Sequence, residues 1–268
     1  MSFINQYENI TKTNKSYVCV GLDSDLTKLP ACLKNEDNPI WVFNKEIIDA
    51  TKSLVAAYKP NYAFYLSAGK KGLDALQRTI DYIPDHIPVI LDVKSGDIGN
   101  TMEHYADGYF DSMKANAITV NPLMGSDVFN AVFKKEGRYI FILALTSNPS
   151  ANDYLKKNEL SNSIASDIAN LGRNKAGAVV GATQGTELKK MRELMPNSIF
   201  LIPGIGAQGG SLKDVTDFAR ISNDDAGFLI NSSRGIIFAD SSENFAEAAY
   251  KASGQLRDEI NTLCSSAL

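Results

Sequence analysis

Histidine and cysteine are scarce in this chain, with two of the first and three of the second among 268 residues. His86 and His104 have no second ligand at useful spacing. Cys19, Cys32 and Cys264 are too few, too scattered and odd in number for a thiolate zinc site or a disulfide framework. That usage fits a reducing compartment, and Cys19, set in an apolar run, reads as a small core residue. Long apolar runs are missing as well: no stretch of about 18 apolar residues occurs that could cross a bilayer. The start, Met1 to Glu8, lacks a basic region followed by an apolar stretch, so a cytoplasmic location is expected. An excess of positive charge is also absent. A formal charge of −4 gives no general attraction to nucleic acid or to an anionic membrane surface, and neither partner is expected.

What is present is an ordinary globular composition, 44% hydrophobic and 22% charged, with enough chain for a large core. Short apolar or β-branched runs recur at Tyr17–Leu22, Ala56–Phe64, Val89–Val93, Ala117–Val120, Tyr139–Leu145, Ala178–Gly181, Ile199–Ile202 and Gly227–Ile230. Segments with helical spacing lie between them, among them Leu73-Leu76-Ile80 and Leu188-Met191-Met195. Near-continuous apolar strands alternating with amphipathic helices call for a parallel sheet covered on both faces. Eight such units make an α/β protein of the closed (β/α)8 TIM-barrel type the economical solution, although a doubly wound open sheet uses the same local pattern. No linker or low-complexity tract divides the chain, so residues 1–268 are read as one domain. Leu26–Pro39 reads as a surface insertion, and Tyr154–Asn174 as polar surface helix or a loop over the site.

In a barrel the chemistry gathers at the C-terminal ends of the strands. Asp92-Val93-Lys94-Ser95-Gly96-Asp97 places two carboxylates and an ammonium within six residues at the end of an apolar run. Side chains at i and i+2 of a strand share a face, so Asp92 and Lys94 are expected to project together while Gly96 lets the chain turn and carry Asp97 elsewhere. Taken alone, Asp-x-Lys also fits a solvated salt bridge worth roughly 0–1 kcal/mol. Asp23, Lys59 and Ser147 fall at the ends of other strands, where Asp23 and Ser147 equally suit helix caps. A magnesium site on Asp92 and Asp97 stays open, although Lys94 between them would compete for the same negative charge.

A second signal is Pro203-Gly204-Ile205-Gly206-Ala207-Gln208-Gly209-Gly210, directly after the seventh run. Such a glycine-rich turn exposes backbone N–H groups that suit an anion, and it also serves tight turns and close helix packing. After the eighth run, Ser233 and Arg234 lie where a guanidinium can add a charged fork to the same anion. Loops after strands seven and eight are the frequent phosphate site of this barrel, so a phosphorylated small molecule is expected.

Asp92-x-Lys94-x-x-Asp97-Ile98, with Lys59-Pro60 upstream and Pro203-Gly204-Ile205-Gly206-x-Gln208-Gly209 downstream, resembles orotidine 5′-phosphate decarboxylase, particularly its longer bacterial and protozoan-like branch. The likeness runs from about Val18 to Ala239, nearly the whole chain. The resemblance implies a homodimer of (β/α)8 barrels that converts orotidine 5′-monophosphate to UMP and carbon dioxide without metal or organic cofactor. It also implies that the active sites are shared across the interface. Carried over by position, Lys59, Asp92 and Lys94 form the charged network of one subunit, and Asp97, Ile98 and Thr101 are lent to the neighbour's site. Asp23 and Lys59 would hold the ribose, Ser147 and Gln208 the pyrimidine edge, and Gln208 with Arg234 the phosphate. Pro203, Gly209 and Ser233 would complete the binding surface. Ser95 stands where related members often carry a basic residue, and strand alternation points it away from Lys94. Ser233 stands where many relatives have glycine.

Loss of carbon dioxide from C6 of the pyrimidine leaves an electron pair in the ring plane, beyond the reach of resonance. A Lys94 ammonium in a water-poor pocket can stabilise that charge and then supply the replacing proton. Two other readings use the same residues: a magnesium-dependent sugar-phosphate lyase or aldolase with an enediolate intermediate, and a non-catalytic nucleotide-binding protein.

Overall fold

The computed structural model describes residues 1–181, 185–205, 210–222 and 224–266. Eight strands alternate with helices: β1 (Val18–Leu22), β2 (Ala57–Pro60), β3 (Ile90–Ser95), β4 (Ala117–Val120), β5 (Tyr139–Leu145), β6 (Ala176–Val180), β7 (Phe200–Pro203) and β8 (Phe228–Ser232). Their order in the sheet is β2-β1-β8-β7-β6-β5-β4-β3, all paired parallel. The two ends of that order meet through the parallel bridges Tyr58↔Val89 and Asn61↔Asp92, and the Tyr58 N–H donates to the Pro88 carbonyl at 3.1 Å. The sheet therefore closes into the (β/α)8 barrel rather than the open alternative. Strands β1, β2, β4 and β6 are buried along their whole length, as a sheet covered by helices on one face and filled by its own side chains on the other requires.

The first helix, Phe3–Thr13, has no place in the strand-helix alternation and seals the N-terminal end of the barrel. Phe3 stacks on Tyr139 at the start of β5, with ring centroids 4.4 Å apart, and meets Phe141 edge-on at 5.4 Å. The amide of Gln6 donates to the Asp85 carbonyl ahead of β3 at 2.7 Å. With one end plugged by aromatic rings, the C-terminal strand ends remain as the open mouth.

Two regions differ from the sequence reading. The run Ala56–Phe64 ends as a strand at Pro60, because the Asn61 carboxamide accepts the Ala63 N–H at 3.2 Å and starts a helix at Tyr62. Within Tyr154–Asn174, Leu160–Leu171 is a barrel helix that buries Ser161, Ile164, Ala165 and Ile168, which makes it more than a polar surface element. Cys19 is fully buried in β1, and burial pushes its thiol pKa up to about 12, in keeping with a core role.

Truncating Phe3 to alanine removes a ring that is 1% exposed and should lower stability by about 3–5 kcal/mol. Urea unfolding of Phe3→Ala measures this. A loss below 1 kcal/mol would contradict the sealing role of the first helix.

Candidate active site

At the mouth, the strands place charged groups on one side and apolar groups on the other. Lys59 from β2 is 5% exposed, and its ammonium donates to Asp92 Oδ2 at 2.7 Å. Lys94 from β3 donates to the other oxygen, Asp92 Oδ1, at 2.5 Å. Asp92 itself is 7% exposed. Burial raises the pKa of its carboxyl, but the two ammonium groups outweigh burial and hold it well below the usual carboxylate range. Burial likewise pulls the Lys59 ammonium down, and Asp92 and Asp23 together carry it above its ordinary value. Both shifts describe a cluster that stays charged at neutral pH.

Regular strand alternation does not bring Lys94 to Asp92. Between the pairs Leu91↔Ile118 and Ser95↔Val120, β3 holds Asp92, Val93 and Lys94 while β4 holds only Thr119, so the strand bulges. Lys94 sits in the left-handed region with φ +47°, a conformation that costs a non-glycine residue of order 1–3 kcal/mol and collects at functional sites. Beyond the bulge Ser95 turns away from Lys94, as expected, and its hydroxyl meets the Tyr109 hydroxyl at 3.0 Å.

A cavity of about 220 Å³ opens beside this cluster, with Ser147, Leu143, Val179, Leu201 and Pro203 facing the charged groups. An apolar wall from β5, β6 and β7 opposite two ammonium groups suits a flat ring that carries negative charge on one edge. An adjoining cavity of about 340 Å³ reaches Gly204, Ile205, Ser233 and Arg234. Gly204 has φ +93°, and the Gly210 N–H reaches back to its carbonyl at 3.4 Å, which draws the ends of that loop together. Gln208 and Gly209 lie outside the described residues. Among the described residues, Asp23 Oδ1, Asn231 Oδ1 and Ser233 Oγ are buried without a hydrogen-bond partner. All three residues line the second cavity, where ligand hydroxyl groups would donate to the Asp23 and Asn231 oxygens and a phosphate oxygen would accept from Ser233.

Asp23 is aimed inward by its neighbours. The Leu22 carbonyl accepts the Tyr65 hydroxyl at 2.9 Å, and the Ser24 hydroxyl donates to the Asn44 carboxamide at 2.5 Å, so the chain on both sides of Asp23 is fixed by buried groups. Asp97 does not join the cluster of its own chain. Its carboxylate accepts the Ile98 N–H at 2.8 Å, while Ile98 and Thr101 stand exposed at the start of the next helix. Nor is Lys94 secluded: half of its side-chain surface is open to solvent, so a water-poor environment holds for Lys59 and Asp92 but not for Lys94 in a single chain.

Two contributors escape the sequence reading. Thr119, in the middle of β4, bonds to both the bulge and Asp92. Asn231, at the end of β8, borders both cavities. A polar residue inside a short apolar strand was the available signal for each.

With this geometry in place, likeness to known proteins becomes informative. The sequence pattern of the family described as "Orotidine 5'-phosphate decarboxylase / HUMPS family" matches residues 16–249. The curated orotidine 5'-phosphate decarboxylase of Bacteroides fragilis is 41% identical over 263 residues, which cover 95% of each chain. That of Phocaeicola vulgatus is 43% identical over 252 residues, covering 91% of this chain and 92% of the relative. Among solved structures, the OMP decarboxylase of Leishmania donovani aligns over 100% of both chains with a TM-score of 0.84 and 34% identity.

The ionisation of the cluster leads to a pH-dependent stability. Because the Asp92 carboxyl titrates lower in the folded state than its unfolded value near 3.9, its stabilisation is complete above that value and is lost as pH falls towards the folded pKa. The Lys59 ammonium titrates higher than its unfolded value near 10.4, so its contribution is complete below that value and is lost as pH rises. Asp92→Asn leaves Lys59 buried without its counter-charge and should cost about 3 kcal/mol at pH 7. In urea unfolding the gap to wild type should narrow by roughly 1 kcal/mol per pH unit below about 4. A gap independent of pH would show that Asp92 is not ionised in this way.

Proposed function

The chain belongs to the orotidine 5'-phosphate decarboxylase / HUMPS family, and from that premise we propose that it converts orotidine 5′-monophosphate to UMP and carbon dioxide, as a homodimer whose protomers share their sites. The observation that carries this reading is a single buried carboxylate gripped by two ammonium groups beside an apolar-walled cavity. Holding a phosphate needs none of that network, which argues against a protein that only binds nucleotides. Relatives matching along nearly the full chain carry the decarboxylase name, which supports the same activity here.

The pyrimidine lies against Leu143, Val179, Leu201 and Pro203 with C6 turned to Lys94. Asp23 takes a ribose hydroxyl, and the phosphate reaches the loop after β7 and Arg234. Ser147, Gln208, Gly209 and Ser233 complete the binding surface. When the C6–carboxylate bond breaks, its electron pair stays on C6 in the ring plane and carbon dioxide departs. The Lys94 ammonium, preorganised on Asp92, stabilises that pair electrostatically and then donates the proton that becomes the C6–H of UMP. Lys94 is left neutral and is reprotonated from water before the next turnover. Lys59 keeps Asp92 ionised throughout. The phosphate does not react, but its binding energy holds the ring in place and contributes to turnover.

A second protomer accounts for two features of the isolated chain. Large apolar side chains stand exposed in the segments after β3 and β4, namely Ile98, Leu123 and Met124, and Asp97 bonds to the Ile98 N–H rather than to its own cluster. Burying that face against a partner would bring Asp97, Ile98 and Thr101 to the neighbouring mouth, where they would cover the half-open Lys94.

An absorbance assay with orotidine 5′-monophosphate should show decarboxylation that is undiminished in excess EDTA. Loss of activity in the chelator would contradict a metal-free step, and absence of decarboxylation in both conditions would leave the sugar-phosphate lyase reading to be tested. Lys94→Ala should retain UMP binding and lose at least about 10³-fold in turnover, whereas near-normal turnover would refute its role. Mixing inactive Lys94→Ala and Asp97→Ala protomers should restore part of the activity, because one of the two sites in each heterodimer then contains both intact residues. No recovery despite demonstrated subunit exchange would count against a shared site.

A further inference from the structure

We propose that Thr119 is the positioning residue that sets Lys94 for proton delivery, an inference that rests on the decarboxylase reading of the same site. Thr119 is 2% exposed. Its Oγ1 accepts the Val93 N–H at 3.0 Å and the Lys94 N–H at 2.9 Å, and donates to Asp92 Oδ1 at 2.8 Å. A hydroxyl has one proton and two lone pairs, and here the two backbone donors occupy both lone pairs. The proton is thereby committed to the carboxylate, with no freedom to rotate elsewhere.

The ladder explains why a side chain is needed at this point. Three residues of β3 stand opposite Thr119 alone, so the bulge takes the N–H groups of Val93 and Lys94 out of the regular strand pairing. Those donors need an acceptor within the barrel wall, and the Thr119 hydroxyl provides it in place of a backbone carbonyl. The backbone is thus held in the bulge that gives Lys94 its φ of +47°. The same oxygen also fixes Asp92 Oδ1, the atom on which the Lys94 ammonium rests. One hydroxyl controls the start of the Lys94 side chain and the anchor at its far end. Gly96, two residues on, has room for no side chain, since a Cβ there would lie 2.7 Å from the Asn121 carbonyl oxygen, so the chain beyond Lys94 is equally confined.

Thr119→Val keeps the shape and removes the hydroxyl, and Thr119→Ser keeps the hydroxyl. The position of Lys94 matters to the chemical step rather than to phosphate binding. In Thr119→Val, kcat for orotidine 5′-monophosphate should fall by about 10²-fold, the scale expected from displacing a reacting group by an ångström. The UMP dissociation constant, measured on the same preparation so that only folded sites count, should stay within about threefold of wild type, because the groups that hold the nucleotide are untouched. Thr119→Ser should recover kcat to within about threefold, since the hydroxyl and its three bonds return. Should Thr119→Val fail to fold, Thr119→Ala replaces it in the comparison, with the same expectation for kcat and UMP affinity.

A kcat within threefold of wild type in either hydroxyl-free variant would overturn the proposal. So would a kcat loss matched by an equal loss of UMP affinity, which marks a merely structural residue. A crystal structure of the hydroxyl-free variant tests the role without turnover: Lys94 should leave the positive-φ region and its ammonium should part from Asp92, and an unchanged Lys94 would refute the assignment. Absence of decarboxylation by the wild-type protein would contradict the proposed activity alone and leave this structural comparison to decide the role of Thr119.

Discussion

One carboxylate shared by two ammonium groups organises the mouth of this barrel. Asp92 spends an oxygen on each of Lys59 and Lys94 and accepts a third bond from Thr119. A buried cation or anion is tolerable only when its partner is held at hydrogen-bond distance, and removal of Asp92 or Lys59 leaves the other as a desolvated charge. Asp92 and Lys59 therefore depend on each other, while Lys94, half open to solvent, is held in place by the pair. The left-handed backbone at Lys94 points the same way: local strain is kept because the surrounding bonds over-determine it.

The barrel supplies this cluster by its closure. The seam between β2 and β3 is joined by isolated bridges, and one of them, Asn61↔Asp92, lies beside the two charged strand ends that carry Lys59 and Asp92. Across the mouth, β5, β6 and β7 contribute Leu143, Val179 and Leu201, so charged and apolar surface line the same cavity. The second cavity continues this surface towards Arg234, with buried polar atoms of Asp23, Asn231 and Ser233 awaiting partners. At the other end of the barrel Phe3 and Tyr139 seal the core, leaving the upper loops free to carry the chemistry.

Much of this architecture is legible in the order of residues alone. The apolar runs mark eight strands because a parallel sheet buried on both faces leaves little room for polar residues, and the polar residues that do occur mark the strand ends. Lys59, Asp92, Asp23, Ser147 and Arg234 follow from that rule, and all border the mouth. Period-two reasoning brings Asp92 and Lys94 together for an incomplete reason, because alternation assumes a regular strand and the bulge with its positive φ has no signature in residue type. For Thr119 the signal, a polar residue in an apolar strand, is weak because threonine is at home in any strand, and the ladder reveals that its hydroxyl replaces a carbonyl. Asp97 makes its hydrogen bond to the Ile98 N–H rather than to Lys94, in keeping with the turn expected at Gly96.

The central claim is that Lys94 delivers a proton to a carbanion at C6, and microscopic reversibility lets that step be watched without the carboxylate. Incubated in deuterium oxide with UMP, the wild-type protein should place deuterium at C6 and leave C5 unlabelled, as followed by proton NMR, because the same lysine must remove the C6 proton in reverse. The Lys94→Ala protein should leave C6 unlabelled although UMP is bound. Equal labelling of C6 by both proteins, or deuterium appearing at C5 in place of C6, would contradict the account.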